Sequence, residues 1–306
     1  VLAVTLAIVA ATAAGVAVER RWGEGAHRVT GRLLDVLLYA VLPPMTFFII
    51  ARLQLTAGVG AGLVFAYLAA FGVAALAWVA GEKLLRLPRP STGALMMASM
   101  QGNTGYLGIP LTATLLGAAQ LGPALAYDIA VSAPLMYGAG YAVAAALGDR
   151  AGDTARARMR AYVLRNPVLP ALVLALVVPD SLAPDAAVDA ARVLALALLP
   201  VGFFVLGVNL MHEREDGVLD FPPRLTAALA TTLTLRLLVA PAIVLTASLL
   251  ILRVPDAYLL QAAMPTAINI LVAGHAYGLD LRLMAGAIAW STTVVVVAAI
   301  AVAAIT

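Results

Sequence analysis

The sequence predicts an all-α membrane protein of ten transmembrane helices in two inverted five-helix repeats, with helices four and nine broken near prolines. Three observations predict it. Of 306 residues, 63% are hydrophobic and only 11% charged, against about 25% charged in an ordinary soluble domain. Apolar stretches near the ~20 residues that cross a bilayer recur along the chain. Proline motifs recur in the two halves at nearly one displacement. A soluble helical bundle needs polar outer faces, and segments such as 225–252 and 285–305 offer none.

The spans expected in order are 1–18, 30–51, 57–80, 91–119, 122–148, 163–179, 186–211, 225–252, 258–279 and 282–304. The first lacks the basic leader of a secretion signal and runs into a polytopic pattern, so it is read as a retained membrane helix. The connections test the count. Odd-numbered ones carry Arg20, Arg21 and Arg28, then Lys83, Arg86 and Arg89, then Arg150, Arg156, Arg158, Arg160 and Arg165, then Arg214 and Arg224, and finally Arg282. Even-numbered ones offer chiefly Arg52 and Arg253, and the sixth has Asp180 and Asp185. Cytoplasmic loops carry the excess of basic residues, which puts the odd connections inside and both termini outside. The compartment expected is the plasma membrane of a prokaryote, the inner membrane if Gram-negative. Trp22, Tyr39, Trp78, Tyr162 and Tyr258 fall near span ends, where such rings serve either the headgroup belt or packing.

The second span contains Leu42-Pro43-Pro44-Met45-Thr46-Phe47-Phe48, and the seventh Leu199-Pro200-Val201-Gly202-Phe203-Phe204. Aligning the Phe pairs displaces the halves by 156 residues, and Pro110 and Pro265 are displaced by 155. That displacement maps spans one to five onto six to ten. An odd number of helices per repeat makes the second copy enter the membrane in the opposite direction. Residues 1–148 form the first repeat, 149–162 a short cytoplasmic linker and 163–306 the second repeat.

Span four packs Gln101, Gly102, Asn103, Thr104, Gly105, Gly108 and Pro110 into a membrane-depth segment. Proline lacks an amide hydrogen and frees carbonyls in the preceding turn. Non-helical backbone at membrane depth must face protein or a water-filled cavity. Span nine supplies the counterpart, Gln261-Ala262-Ala263-Met264-Pro265-Thr266-Ala267-Ile268-Asn269. Broken helices in opposed repeats build solute sites at the midplane of secondary transporters, and half-helix amino termini favour negative charge. The solute expected is therefore a small organic anion. Asn103 and Asn269 present donors and acceptors, Gln101 and Gln261 extend the polar lining, and Thr104 and Thr266 add hydroxyls. Local capping of the broken backbone by the same side chains is the alternative.

Asp128 in span five and Arg236 in span eight are charges at membrane depth, where ionisable groups face a protein interior or an aqueous path. Arg236 has three candidate roles: gripping an anionic solute, pairing with Asp128, or bonding helix-end carbonyls. Asp128 is a candidate for ion coupling. His275, near the cytoplasmic end of span nine, is a candidate for gating or proton coupling, since free His titrates at about pH 6.5. No cysteine is present, the histidines lie far apart, and the acidic residues show no ligand spacing, so no cofactor or metal is expected. A net charge of +3 without a basic cluster does not point to nucleic acid. No nucleophile–base arrangement accompanies the polar breaks, which argues against an enzyme.

The segment Gly102-Asn103-Thr104-Gly105-Tyr106-Leu107-Gly108-Ile109-Pro110 closely resembles the signature of the auxin efflux carrier family, whose bacterial members are often described as malate or malonate permease-like. The later segment resembles it too, at Ala263-Met264-Pro265-Thr266-Ala267-Ile268-Asn269, Ala273, Tyr277-Gly278-Leu279-Asp280 and Ser291-Thr292-Thr293. The architecture is also similar to that of the bile-acid/sodium symporter superfamily. The resemblance implies that spans four and nine cross at their prolines, with a scaffold of helices 1, 2, 6 and 7 and a transport domain of helices 3–5 and 8–10. It further implies a homodimer and an elevator-type alternating-access carrier of a dicarboxylate or auxin-like weak acid. Proton or sodium coupling is left open. The alternatives are a non-transporting membrane solute sensor or scaffold, and an anion channel.

Overall fold

A computed structural model describes residues 2–53, 56–150, 156, 160, 167–197, 200–201, 204–205, 207–208, 211 and 223–305. Much of the expected linker and parts of spans six and seven lie outside them. So do Arg158, Tyr162, Arg165, Leu199, Gly202, Phe203, His212 and Arg214, including three residues of the second proline motif.

Among the described residues the elements are helical. In chain order they are α1 (Leu2–Trp22), α2 (Glu24–Val36), α3 (Leu42–Ala51), α4 (Ala57–Val79), α5 (Arg89–Met100), α6 (Ile109–Leu115), α7 (Leu121–Tyr127) and α8 (Tyr141–Leu147). There follow α9 (Val168–Val177), α10 (Asp185–Ala197), α11 (Ala227–Thr234), α12 (Ala240–Leu250), α13 (Asp256–Ala262), α14 (Ile270–Tyr277) and α15 (Leu281–Ile305).

Four helical stretches are long and apolar enough to cross a bilayer: Ala57–Leu84, Ala118–Leu147, Ala227–Leu250 and Leu281–Val302. They coincide with the expected spans three, five, eight and ten. Their outward faces carry Leu68, Phe71, Leu238, Leu249, Val294 and Val297, all exposed. Exposed apolar surface repeated on helix after helix is lipid-facing surface. The chain is an all-α, multi-pass membrane protein. Threonines start two of these helices alike: Thr56 accepts the amide of Val59 at 3.3 Å and Thr226 that of Leu229 at 3.2 Å, each satisfying an otherwise orphan donor.

The first connection departs from expectation. Residues 24–29 continue as helix α2 after a one-residue turn at Gly23, whose φ of 47° is left-handed, so the basic residues there decorate a helix rather than a loop. Between α2 and α3 the chain widens into a π-turn, Leu37–Val41. Pro43 and Pro44 follow it, and their missing N–H groups leave the preceding carbonyls to find longer-range partners. Of the candidate belt rings, Trp22, Tyr39 and Trp78 are exposed, whereas Tyr258 is wholly buried. It packs edge-on to Tyr127 at 5.4 Å, as a core residue and not an interfacial one.

Two main apolar bodies organise the packing, beside a small third cluster of Leu107, Leu111 and Met264. The larger gathers buried residues of α4, α5, α8 and α11–α15 with those of the fifth span, among them Val73, Leu95, Tyr141, Ile270 and Met284. The smaller joins α3 to α6, α7, α9 and α10 through Met45, Ile49, Ile50, Leu121 and Leu125. Within a bilayer, helix association depends on close packing and small residues more than on burial from water. Gly15 of α1 illustrates this, since a Cβ there would lie 2.1 Å from the carbonyl oxygen of Phe204, and one on Gly207 2.2 Å from that of Thr12.

Candidate functional site

Helix α5 ends at Met100 and Gln101 turns to extended backbone, with φ −97° and ψ 114°. The chain resumes as a π-turn at Thr104–Gly108 and then α6. The ninth span stops likewise at Ala262 and restarts at Ile270. The two interruptions meet as an antiparallel bridge between Gly102 and Thr266. The amide of Asn103 donates to the carbonyl of Pro265 at 2.7 Å, and that of Ala267 donates to Gln101 at 3.0 Å. Each break therefore satisfies the other's freed backbone, as membrane depth demands.

This pairing corrects the expected crossing point. The strands cross at Gly102 and Thr266, 164 residues apart, so Pro110 and Pro265 are not counterparts about the crossing. Pro265 lies in the bridge itself, where its carbonyl is an acceptor. Pro110 sits inside a helix that runs on from the π-turn at Thr104–Gly108 into α6, where the wider i→i+5 bonding before it accommodates the missing N–H. The amide of Gly108 reaches back to Asn103 at 3.0 Å.

Arg236, in a π-turn of the eighth span (Leu235–Val239), is buried. Its Nε donates to Met264 at 3.0 Å, and its Nη2 to Ala262 in a short contact. Its Nη1 reaches Ser99 and Met100 more loosely, at 3.5 and 3.4 Å. All four acceptors are backbone carbonyls where α5 and α13 end. Of the three candidate roles, the geometry realises the third. Asp128 instead accepts the hydroxyl of Thr104 at 2.5 Å, and among the described residues no ion pair joins it to Arg236.

The other polar groups divide into stitches and free ends. Thr266 donates its hydroxyl to Ala98 at 2.9 Å, and its amide donates to Ser291 Oγ at 3.0 Å. Gln261 Nε2 spans the carbonyls of Thr104 and Ala124, both at 3.3 Å. Gly108 makes that approach possible, because a Cβ there would lie 1.9 Å from Gln261 Oε1; at Gly105 a Cβ would be 3.3 Å from Asp128. Gln101 and Asn103 are buried to within 3% of complete, yet Gln101 Nε2 and Asn103 Nδ2 have no partner among the described residues. Neither Asn103 nor Asn269 caps its helix, and Asn269 is exposed at the start of α14.

Gln101, Gly102, Thr104, Arg236 and Gln261 share the wall of one small cavity with Tyr127 and Ser132. Its volume of about 20 Å³ admits roughly one water-sized occupant. His275 lies apart, exposed on the last turn of α14, where its carbonyl faces Arg150 at 3.5 Å. Ser291 and Tyr127 were not singled out by position in the sequence as parts of this site. Ser291 stands in the Ser-Thr-Thr triplet of α15, and only the fold shows that its hydroxyl accepts the Thr266 amide. Among the described residues no group of three or more His, Cys, Asp or Glu is placed to hold a metal ion.

Crossed, interrupted helices inside an apolar multi-pass bundle define the class of a membrane protein that handles solutes. Comparison with known proteins agrees with this. A family model described as "Membrane transport protein" matches residues 160–302. Over 274 residues the chain is 26% identical to an uncharacterized transporter of Methanocaldococcus jannaschii, with 85% of this chain and 84% of that protein covered. The chain is thus a distant homologue of an uncharacterized membrane transporter, and its later half resembles a membrane-transport family.

Proposed function

We propose that the protein is a secondary transporter that carries a small organic anion, a dicarboxylate or an auxin-like weak acid, by elevator-type alternating access. The observation that carries this reading is the pair of buried amide donors left free at the helix crossing, Gln101 Nε2 and Asn103 Nδ2. A buried donor without a partner forfeits about 1–3 kcal/mol, a cost that persists where a ligand supplies the acceptor. Polarity favours an anion. Arg236 already satisfies the carbonyl ends of the broken helices, whereas the amino end of α14 keeps its positive dipole uncapped beside the exposed Asn269.

In this reading Asn103, Asn269 and Gln101 contact the solute, while Gln261, Thr104, Thr266 and Arg236 hold the crossing in shape. Transmembrane helices 3–5 and 8–10 act as the transport domain, and transmembrane helices 1, 2, 6 and 7 act as scaffold and as the contact between two copies of the chain. The cavity of about 20 Å³ is too small for a four-carbon acid, so loading belongs to another position of the transport domain. Odd connections face the cytoplasm of a prokaryote and both ends of the chain lie outside. Asp128, half-buried beside the crossing, is the candidate for proton coupling.

The test is uptake by purified protein in liposomes, with labelled malate, malonate and indole-3-acetate under separately imposed proton, sodium and voltage gradients. Saturable counterflow of at least one acid supports the carrier. Open-pore current would assign a channel, and binding without flux a sensor.

A further inference from the structure

The fold-level resemblance to sodium symporters raises the possibility of sodium at the crossing, and the side chains there do not fit it. Two helix carboxyl ends, each carrying a partial negative charge of about half an electron, converge on one point. Such convergence of carbonyls is where transporters coordinate a coupling ion. Here the point is taken by the Arg236 guanidinium, which meets Met264 and Ala262 on one side and Ser99 and Met100 on the other. A guanidinium of unit charge cancels two half-charges. A hard cation binds oxygens at roughly 2.0–2.6 Å, so it would have to share these carbonyls with a like charge only a bond length or two further away.

We propose that the Arg236 guanidinium is a tethered cation standing in for a mobile coupling ion at the helix crossing, so that the carrier cycles without binding sodium. The coupling half of this statement rests on the carrier reading; the cation half does not. Several features serve the role. Arginine stays charged under all physiological conditions, and its planar fork of donors spans acceptors on both helix ends, a wider reach than the compact ammonium of a lysine. The π-turn at Leu235–Val239 sets the side chain across the bundle, and Gly102 lets it lie close, since a Cβ on that residue would come within 3.3 Å of Nη2. Asp128, the other charge nearby, is engaged by Thr104.

The experiment reads thermal stability first, because that needs no substrate. Wild-type protein in detergent should melt at one temperature in sodium, potassium and choline chloride of equal ionic strength. A saturable, sodium-specific rise would overturn the proposal. Arg236→Lys should lose part of the melting temperature and Arg236→Gln more. Arg236→Ala should regain stability in low-millimolar methylguanidinium chloride but not in matched choline chloride. Glutamine equal to or better than lysine would show that charge is not what the site requires, and the idea would fall. If the variants do not fold, the wild-type cation series decides alone. In liposomes that take up a labelled acid, flux should be equal in the three salts. Sodium-dependent flux counts against the tethered cation, whereas no flux for any acid counts against the carrier reading and leaves the melting result standing.

Discussion

Asn103 and Thr266 sit side by side at the crossing and have opposite jobs, because one side chain is free and the other is spent. Asn103→Ala removes an unpartnered donor, so melting should scarcely change. Uptake or binding of the carried acid should fall on the order of 10- to 100-fold, the worth of one hydrogen bond to a charged group. Unchanged transport would remove Asn103 from the site. Thr266→Val removes the hydroxyl that donates to Ala98 and should cost about 1 kcal/mol, read as a lower melting temperature. Both polar residues were legible in the sequence as candidates, since amides and hydroxyls at membrane depth demand a reason. Their division into solute ligand and structural stitch was not legible, because it depends on which carbonyl happens to stand opposite. The same holds for Arg236, whose four acceptors come from helices more than a hundred and twenty residues, or under thirty, away in the chain.

Among elements, the interrupted helices were legible because glycine, proline and polar residues cluster in otherwise apolar stretches. The register of their crossing was not. Proline marks where a helix is weakened, while the bridge forms where two backbones can come close, at Gly102 and Thr266. Closeness also governs Gly108. Gly108→Ala should cost about 1–3 kcal/mol through overpacking against Gln261, and Gln261→Ala in the same chain should relieve it. Losses that simply add in this double-mutant cycle would mean the two residues do not press on each other. The orientation of the spans is tested with the cysteine-free chain. Lys83→Cys should be protected from a membrane-impermeant thiol reagent in intact cells and Arg253→Cys should be labelled. The reverse pattern would invert the topology.

For the whole molecule, the carrier reading predicts movement of the transport domain against the scaffold. Spin labels at Leu68→Cys on α4 of the transport domain and Val193→Cys on α10 of the scaffold, both exposed in the structure, should give a distance distribution that shifts when a carried acid is added. A single unchanged distance would sink the elevator and leave a rigid bundle. By itself the sequence determined that this is an all-α, multi-pass membrane protein and that its fourth and ninth apolar stretches are interrupted. Hydropathy, charge and backbone-breaking residues act locally along one segment, so they can be read without neighbours. Only the tertiary structure decided that the breaks pair with each other, that Arg236 answers helix ends rather than Asp128, and that Gln101 and Asn103 keep unpartnered amide donors at the crossing. Hydrogen bonds across the bundle are settled by geometry between distant segments, and a linear pattern of residue types carries no record of which donor meets which acceptor.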